Sequence, residues 1–150
     1  MRIQEIMSTT IHSVPPAMAA EEAWEFMHTK GVRHLIVKEG SEVLGVLSES
    51  DAGGRCGAAV RRDARVADLM DRHVVRVGPN ETLRKAANRM RGHLIGCLPV
   101  IERQRLVGVV TIADILNVVG GGVDRPSHEK RAALHHRVAH RRSRAATGRW

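Results

Sequence analysis

GVVTIADIL, residues 108 to 116, reads as a short apolar strand that ends in a hydroxyl and runs into a helix. Thr111 falls at the strand-to-helix boundary, where its side-chain oxygen accepts from an orphan N–H of the first helical turn. Asp114 follows within that turn, where the helix dipole favours a carboxylate. Hydroxyl and carboxylate therefore emerge on one edge of a sheet, an arrangement suited to the paired hydroxyls of a ribose with backbone N–H groups nearby for phosphate. The same residues also make an ordinary capped helix, so the pattern alone does not decide between the two.

The pattern occurs twice. GVLSESDA, residues 45 to 52, stands 63 residues earlier, and a shift of 63 aligns most of the chain without a gap. Met7 falls on Met70, Val14 on Val77, Pro16 on Pro79, Ala23 on Ala86 and Met27 on Met90. Leu35 falls on Leu98, Val37 on Val100, Gly45 on Gly108 and Asp51 on Asp114. Two units of about 60 residues are too few for a solenoid, so they form a pseudo-symmetric pair.

Within each unit the order reads strand, helix, strand, strand, helix, an α+β arrangement. In the first unit we expect strands at Ile11–Val14, His34–Lys38 and Glu42–Leu47, with a helix from about Ala19 to Lys30. A helix due after Ser48 is weakened at once by Gly53 and Gly54. The second unit repeats this with strands Val74–Val77, Cys97–Ile101 and Arg105–Val110, and helices from about Glu81 to Arg91 and Ile112 to Val119. Short turns of helix at RIQEIM (2–7) and VADLM (66–70) precede the units. A three-stranded sheet covered by helices on one face leaves the other face bare, so the units should pack sheet to sheet. The organisation is then residues 1–60, residues 61–119, and a Gly hinge with a basic tail over 120–150.

Composition narrows the function. The chain has 150 residues and a net charge of +8, but residues 1–123 carry only +2 and residues 124–150 carry +6. The repeat is therefore nearly neutral and the basic character belongs to the tail, which argues against a nucleic-acid-binding core. Aromatic content is 2%, so the core must be aliphatic. No apolar run reaches the roughly 18 residues of a membrane span, and MRIQEIMSTT has no signal-peptide core; a cytoplasmic protein is expected. Cys97 reads as a buried core thiol and Cys56 as a more accessible one, with no metal spacing between them. There is no activated nucleophile, acid–base pair, Walker loop or metal cluster, so no enzyme is expected. In the tail, Ser127 caps a helix through about Arg142 or the segment is disordered. His136 and His140 lack a third ligand, and the arginines suit a polyanion.

The repeat resembles the cystathionine-beta-synthase (CBS) domain, and the tandem resembles the CBS pair called a Bateman module, over about residues 1–119. The resemblance rests on Ile6-Met7, the Pro16 turn, the strands His34–Val37 and Cys97–Val100, and the two Gly-x-x-Ser/Thr-x-x-Asp endings. It implies a non-catalytic regulatory module that binds an adenosyl compound (AMP, ADP, ATP or S-adenosylmethionine) between the units. It also implies a disc-shaped homodimer and a protein client. Asp114 would hold the ribose with Thr111 beside it, and Ser48 and Asp51 match these positions in the other half. The base would lie against Thr10 to His12 and Val32 in one half, and against His73 to Val75 and Ile95 in the other. Phosphate contacts would come from Arg33 and His34, whose counterparts Gly96 and Cys97 are uncharged. Which carboxylate shares a ligand with Arg33 stays open. Ala52, Gly53 and Gly54 depart from the family's apolar residues after Asp51, whereas Ile115-Leu116 keeps them after Asp114, which favours the Asp114 half. The alternative is a dimerising scaffold whose tail binds nucleic acid or another polyanion.

Overall fold

Continuous apolar runs make the inner strands: Leu35 to Val37 and Cys97 to Val100 are buried at every position, as befits strands covered on both faces. The computed structural model describes residues 1–121; the tail, with Ser127, His136 and His140, lies outside the described residues. In the first unit β1 (Ser13–Val14) pairs parallel with β2 (His34–Glu39), which pairs antiparallel with β3 (Glu42–Ser48). Helix α1 (Ala20–Lys30) buries Ala20, Ala23 and Met27, the last two in one core with Val14, Leu35, Val37 and Leu47 of this sheet, and stops at Gly31, in the left-handed conformation with φ 65°. After β3 come a few turns and two short helices, α2 (Ala58–Arg61) and α3 (Val66–Leu69). The second unit holds α4 (Leu83–His93), the hairpin β4 (Cys97–Glu102) and β5 (Arg105–Thr111), and α5 (Ile112–Val119).

The helix due after Ser48 is reduced to a turn, and the strand expected at Val74–Val77 does not form. Only an isolated parallel bridge, Val77 to Val100, remains. Its counterpart β1 is held by the Ile36 N–H donating to His12 O at 3.0 Å. A shift of 63 puts Pro99 where Ile36 stands, and proline has no N–H to give. The ladder therefore ends at one rung. Strand β1 is likewise shorter than Ile11–Val14, because Ile11 and His12 lie before its two paired residues.

The two repeats exchange their opening segments. Ile3 and Ile6 are buried with Val77, Ala86, Leu98, Val100 and Val110, in the core of the second unit. Backbone bonds fix them there: Ile3 N–H to Glu81 O and Gln4 N–H to Pro79 O, each 3.0 Å. Reciprocally, Val66 is buried with Val14, Leu35 and Leu47 in the first unit's core, and its N–H donates to Met18 O. The sequence units 1–60 and 61–119 are thus interlocked, each borrowing about eight residues from the other's opening. The exchange runs past two glycines. Ser8 exchanges two backbone hydrogen bonds with Val109, and Asp71 does the same with Val46. Beside these crossings stand Gly108 and Gly45. A Cβ on Gly45 would lie 2.5 Å from Asp71 O, and one on Gly108 would lie 2.9 Å from Ser8 O. The repeated glycine of the two endings is what allows the crossing strand in.

Glu81 joins the borrowed segment to α4. Its carboxylate accepts from Gly78 N–H and Arg89 and pairs with Lys85 at 2.7 Å. Burial opposes its ionisation, but the bonds from Lys85, Gly78 and Arg89 outweigh it and hold the pKa at about 2. A folded-state value below the unfolded one gives stability that is full above about 4.5 and is lost as pH falls toward 2. Glu81→Gln should therefore cost about 1 kcal/mol at neutral pH and flatten the acid limb of a pH–stability curve. Wild-type and variant curves that stay parallel from pH 5 to pH 2.5 would refute this.

Candidate functional site

The two hydroxyl–carboxylate endings are built alike but differ in surroundings. Ser48 N–H donates to Asp51 Oδ2, and Asp51 N–H donates to Ser48 Oγ, each at 3.0 Å. At the second ending Thr111 N–H and Oγ1 both donate to Asp114 Oδ2, at 2.9 and 3.1 Å, and Asp114 N–H donates back to Thr111 Oγ1. This is a capping box at the start of α5. Asp114 is buried at 7% exposure, whereas Asp51 is half-buried.

Strand pairing fixes what stands beside each hydroxyl. His34 is the cross-strand partner of Ser48, and Cys97 that of Thr111. Burial pushes the His34 imidazole below the usual histidine value; Asp51 and Glu49 oppose this shift and Arg33 adds to it. Burial, reinforced by Asp114, pushes the Cys97 thiol up to about 12. Cys97 is thus an inert core thiol, as expected, while Cys56 is exposed.

A cleft of about 290 Å³ opens between the units at the first ending. From the first unit it is lined by His34, Val46, Ser48, Ser50 and Asp51. Asp71, His73, Val75, Leu94, Ile95, Gly96 and Cys97 complete it from the second repeat. Of the residues singled out in the sequence, the structure therefore brings together Ser48, Asp51, His34, His73, Val75 and Ile95. Thr111, Asp114, Thr10, His12, Val32 and Arg33 do not line this cleft. Val32 packs on the first core, His12 meets the Phe26 ring edge-on at 6.0 Å, and Thr10 is exposed. Arg33 is exposed and pairs with Glu49 at 3.8 Å. The open cleft is thus at Asp51, the ending that departs from the family pattern.

The 63-residue shift sends these lining residues onto a second set. Ser48 maps to Thr111, Asp51 to Asp114, His73 to Thr10, Val75 to His12, Ile95 to Val32 and Gly96 to Arg33. Asp71, Ser50 and Leu94 went unnoticed in the sequence. Leu94 carried a signal: it stands where the first unit has the helix-ending Gly31, and a leucine at a glycine position is an anomaly.

Chemically, a hydroxyl and a carboxylate that share a cleft with the apolar side chains of Val46, Val75, Leu94 and Ile95 suit a polyhydroxylated, partly flat ligand of nucleoside size. Among the described residues no group of three His, Cys, Asp or Glu side chains is arranged to hold a metal ion. No helix among them is long and apolar enough to cross a membrane.

Comparison with known proteins agrees with this architecture. The model of the CBS domain matches residues 3–52 and 66–121. The CBS domain-containing protein YhcV of Bacillus subtilis is 30% identical over 115 residues, covering 75% of this chain and 81% of that protein. Homoserine O-acetyltransferase of Methanohalobium evestigatum is 29% identical over 119 residues, 78% of this chain but 24% of the enzyme. This chain thus spans about a quarter of the homoserine O-acetyltransferases it matches, and what it shares with them is the CBS part. Among solved structures, the CBS-domain protein ATU1752 of Agrobacterium tumefaciens superposes with a TM-score of 0.72 at 25% identity, covering 79% of this chain and 99% of that one. The CBS pair of protein MJ0100, in complex with 5′-methylthioadenosine and S-adenosyl-L-methionine, gives 0.73 at 23% identity, covering 81% and 97%. Two matched segments, a duplicated fold and a cleft between the repeats place this chain in the CBS domain family, as a tandem pair.

Proposed function

We propose that this CBS pair is a regulatory module that takes an adenosyl compound between its two units and passes the resulting change of shape to a partner. The observation that carries the reading is the cleft itself. The first unit supplies a hydroxyl and a carboxylate, Ser48 and Asp51, and the second supplies the apolar walls Val75 and Ile95. A ligand spanning both must favour one relative placement of the units, and only such a differential affinity can switch a protein. The adenosyl compounds bound by the MJ0100 pair support the ligand class. By the 63-residue shift, the second set of residues would give Asp114, Thr111, Thr10, His12, Val32 and Arg33 a nucleotide site of their own. The homodimer expected of such pairs would cover α5, which exposes Ile112, Leu116 and Val119 along one side.

Isothermal titration with AMP, ADP, ATP and S-adenosylmethionine tests the reading. One of them should bind, and Asp51→Asn should weaken the binding of a ligand seated in the open cleft by roughly ten- to a hundredfold, the worth of a charge-assisted hydrogen bond. A folded protein that binds none of the four would refute it.

A further inference from the structure

The open cleft is poor in positive charge. Two carboxylates, Asp51 and Asp71, line it beside two imidazoles, His34 and His73, and no lysine or arginine does. Arg33, next to His34 in the chain, is turned to Glu49. Gly96 stands at the position that corresponds to Arg33, so the one basic residue the repeat would have put here is missing. A phosphate entering this cleft would meet two fixed negative charges, with only the imidazoles of His34 and His73 to set against them and no lysine or arginine, which is an unfavourable arrangement.

Leu94 is a second, independent sign. It lines the cleft, its side chain is 91% exposed, and it holds a left-handed backbone with φ 55°. An exposed leucine in that conformation adds nothing to the core and strains the helix end, which glycine would cap without cost. Such an outlier, at the rim of a cavity, points to a role in binding. With Val46, Val75 and Ile95 it gives the cleft an apolar lip where a phosphate site would need donors.

We propose that the Ser48–Asp51 cleft selects adenosyl compounds whose 5′ substituent is uncharged or cationic and carries apolar groups, the thioether and sulfonium class, over nucleoside phosphates. Asp51 holds the ribose, Asp51 and Asp71 repel phosphate and attract a sulfonium, and Leu94 covers the apolar substituent. This rests on the adenosyl reading above and narrows it.

The test is calorimetric titration of the full chain with 5′-methylthioadenosine, S-adenosylmethionine, AMP and ATP, scoring in each case the binding that Asp51→Asn removes. The phosphate-free compounds should bind at least roughly tenfold more tightly than AMP. Leu94→Gly should weaken them by about three- to tenfold while the thermal midpoint stays level or rises, a split that a merely structural residue would not give. Ser50→Arg, at an exposed lining position, should narrow the gap in favour of AMP. Asp51-dependent binding of AMP or ATP that equals or exceeds that of the phosphate-free compounds would overturn this selectivity and leave the adenosyl reading standing. No binding of any of the four would overturn both.

Discussion

Gly45→Ala is expected to cost about 3 kcal/mol and lower the thermal midpoint by about 10 °C. The added methyl would sit 2.5 Å from Asp71 O, 3.3 Å from Asp71 C and 3.2 Å from Met70 Sδ. The sulfur can move, but the carbonyl cannot without breaking its own bond. Asp71 O accepts from Val46 N–H at 3.0 Å, and Asp71 N–H donates to Val46 O at 2.9 Å. Relieving the clash therefore breaks a pair of backbone bonds, each worth about 1 kcal/mol net, on top of the overpacking strain. Gly108→Ala meets Met7 Sδ at 2.8 Å and Ser8 O at 2.9 Å, a looser fit that should cost less. Gly92→Ala is the control. It lies inside α4 with nothing within 4 Å of the new methyl, and there alanine should stabilise by about 0.5–1 kcal/mol. Urea titrations of the three variants decide the matter. If Gly45→Ala melted no earlier than Gly92→Ala, the crossing segment would not hold the units as described.

Much of this crossing was hidden in the sequence for a definite reason. Shifting by 63 shows that residues 2–8 and 65–71 are equivalent, but equivalence cannot say which copy each packs against. Either choice buries the same side chains: Ile3 and Val66 fill like holes. The repeated glycines were visible, yet their use depends on a close approach that only three dimensions supply. By contrast α5 was legible to the residue, because Thr111 and Asp114 form a local capping box and Gly120 follows at once. The loss of the strand at Val74–Val77 is legible in the sequence, since Pro99 lies in the partner strand where an N–H is needed. At the site, the shift paired residue types but left open which wall each carboxylate faces. The structure answers for Asp51, which shares its cleft with Val75 and Ile95. Charge asymmetry between Arg33 and Gly96 was readable throughout; that the open cleft would be the one without the arginine was not.

Arg61→Met should destabilise the first unit by about 3 kcal/mol and loosen the segment that follows Asp51. Arg61 is 4% exposed, an extreme burial for an arginine. Its Nε donates to Glu21 Oε2 at 2.8 Å, and Nη1 donates to Ala52 O at 2.9 Å and Gly54 O at 2.8 Å. The guanidinium also stacks 4.1 Å from the Trp24 ring centre. These bonds do what a helix would have done. After Ser48 only one turn of chain forms, because Gly53 at φ 88° and Gly54 at φ 64° leave helical geometry, and the carbonyls released there turn to Arg61 instead. Methionine keeps most of the apolar volume but leaves the two carbonyls without their donor and Glu21 without its partner. Breaking such a buried, hydrogen-bonded charge costs about 3–5 kcal/mol at worst, and Glu21, half-exposed, can return to water, which places the loss at the lower end. Arg61→Lys keeps the charge but not the fork of donors, so it should recover less than half of the loss. Hydrogen exchange gives the sharper reading. Amides of Ala52, Gly53 and Gly54 should exchange faster in both variants, while those of β4 and β5 hardly change. Equal acceleration in both units would mean that Arg61 supports the pair as a whole and does not tether the cleft's own loop. Slow exchange at Ala52–Gly54 in Arg61→Met would mean that the glycine turn holds itself, and that the geometry of Asp51 owes nothing to this buried cation.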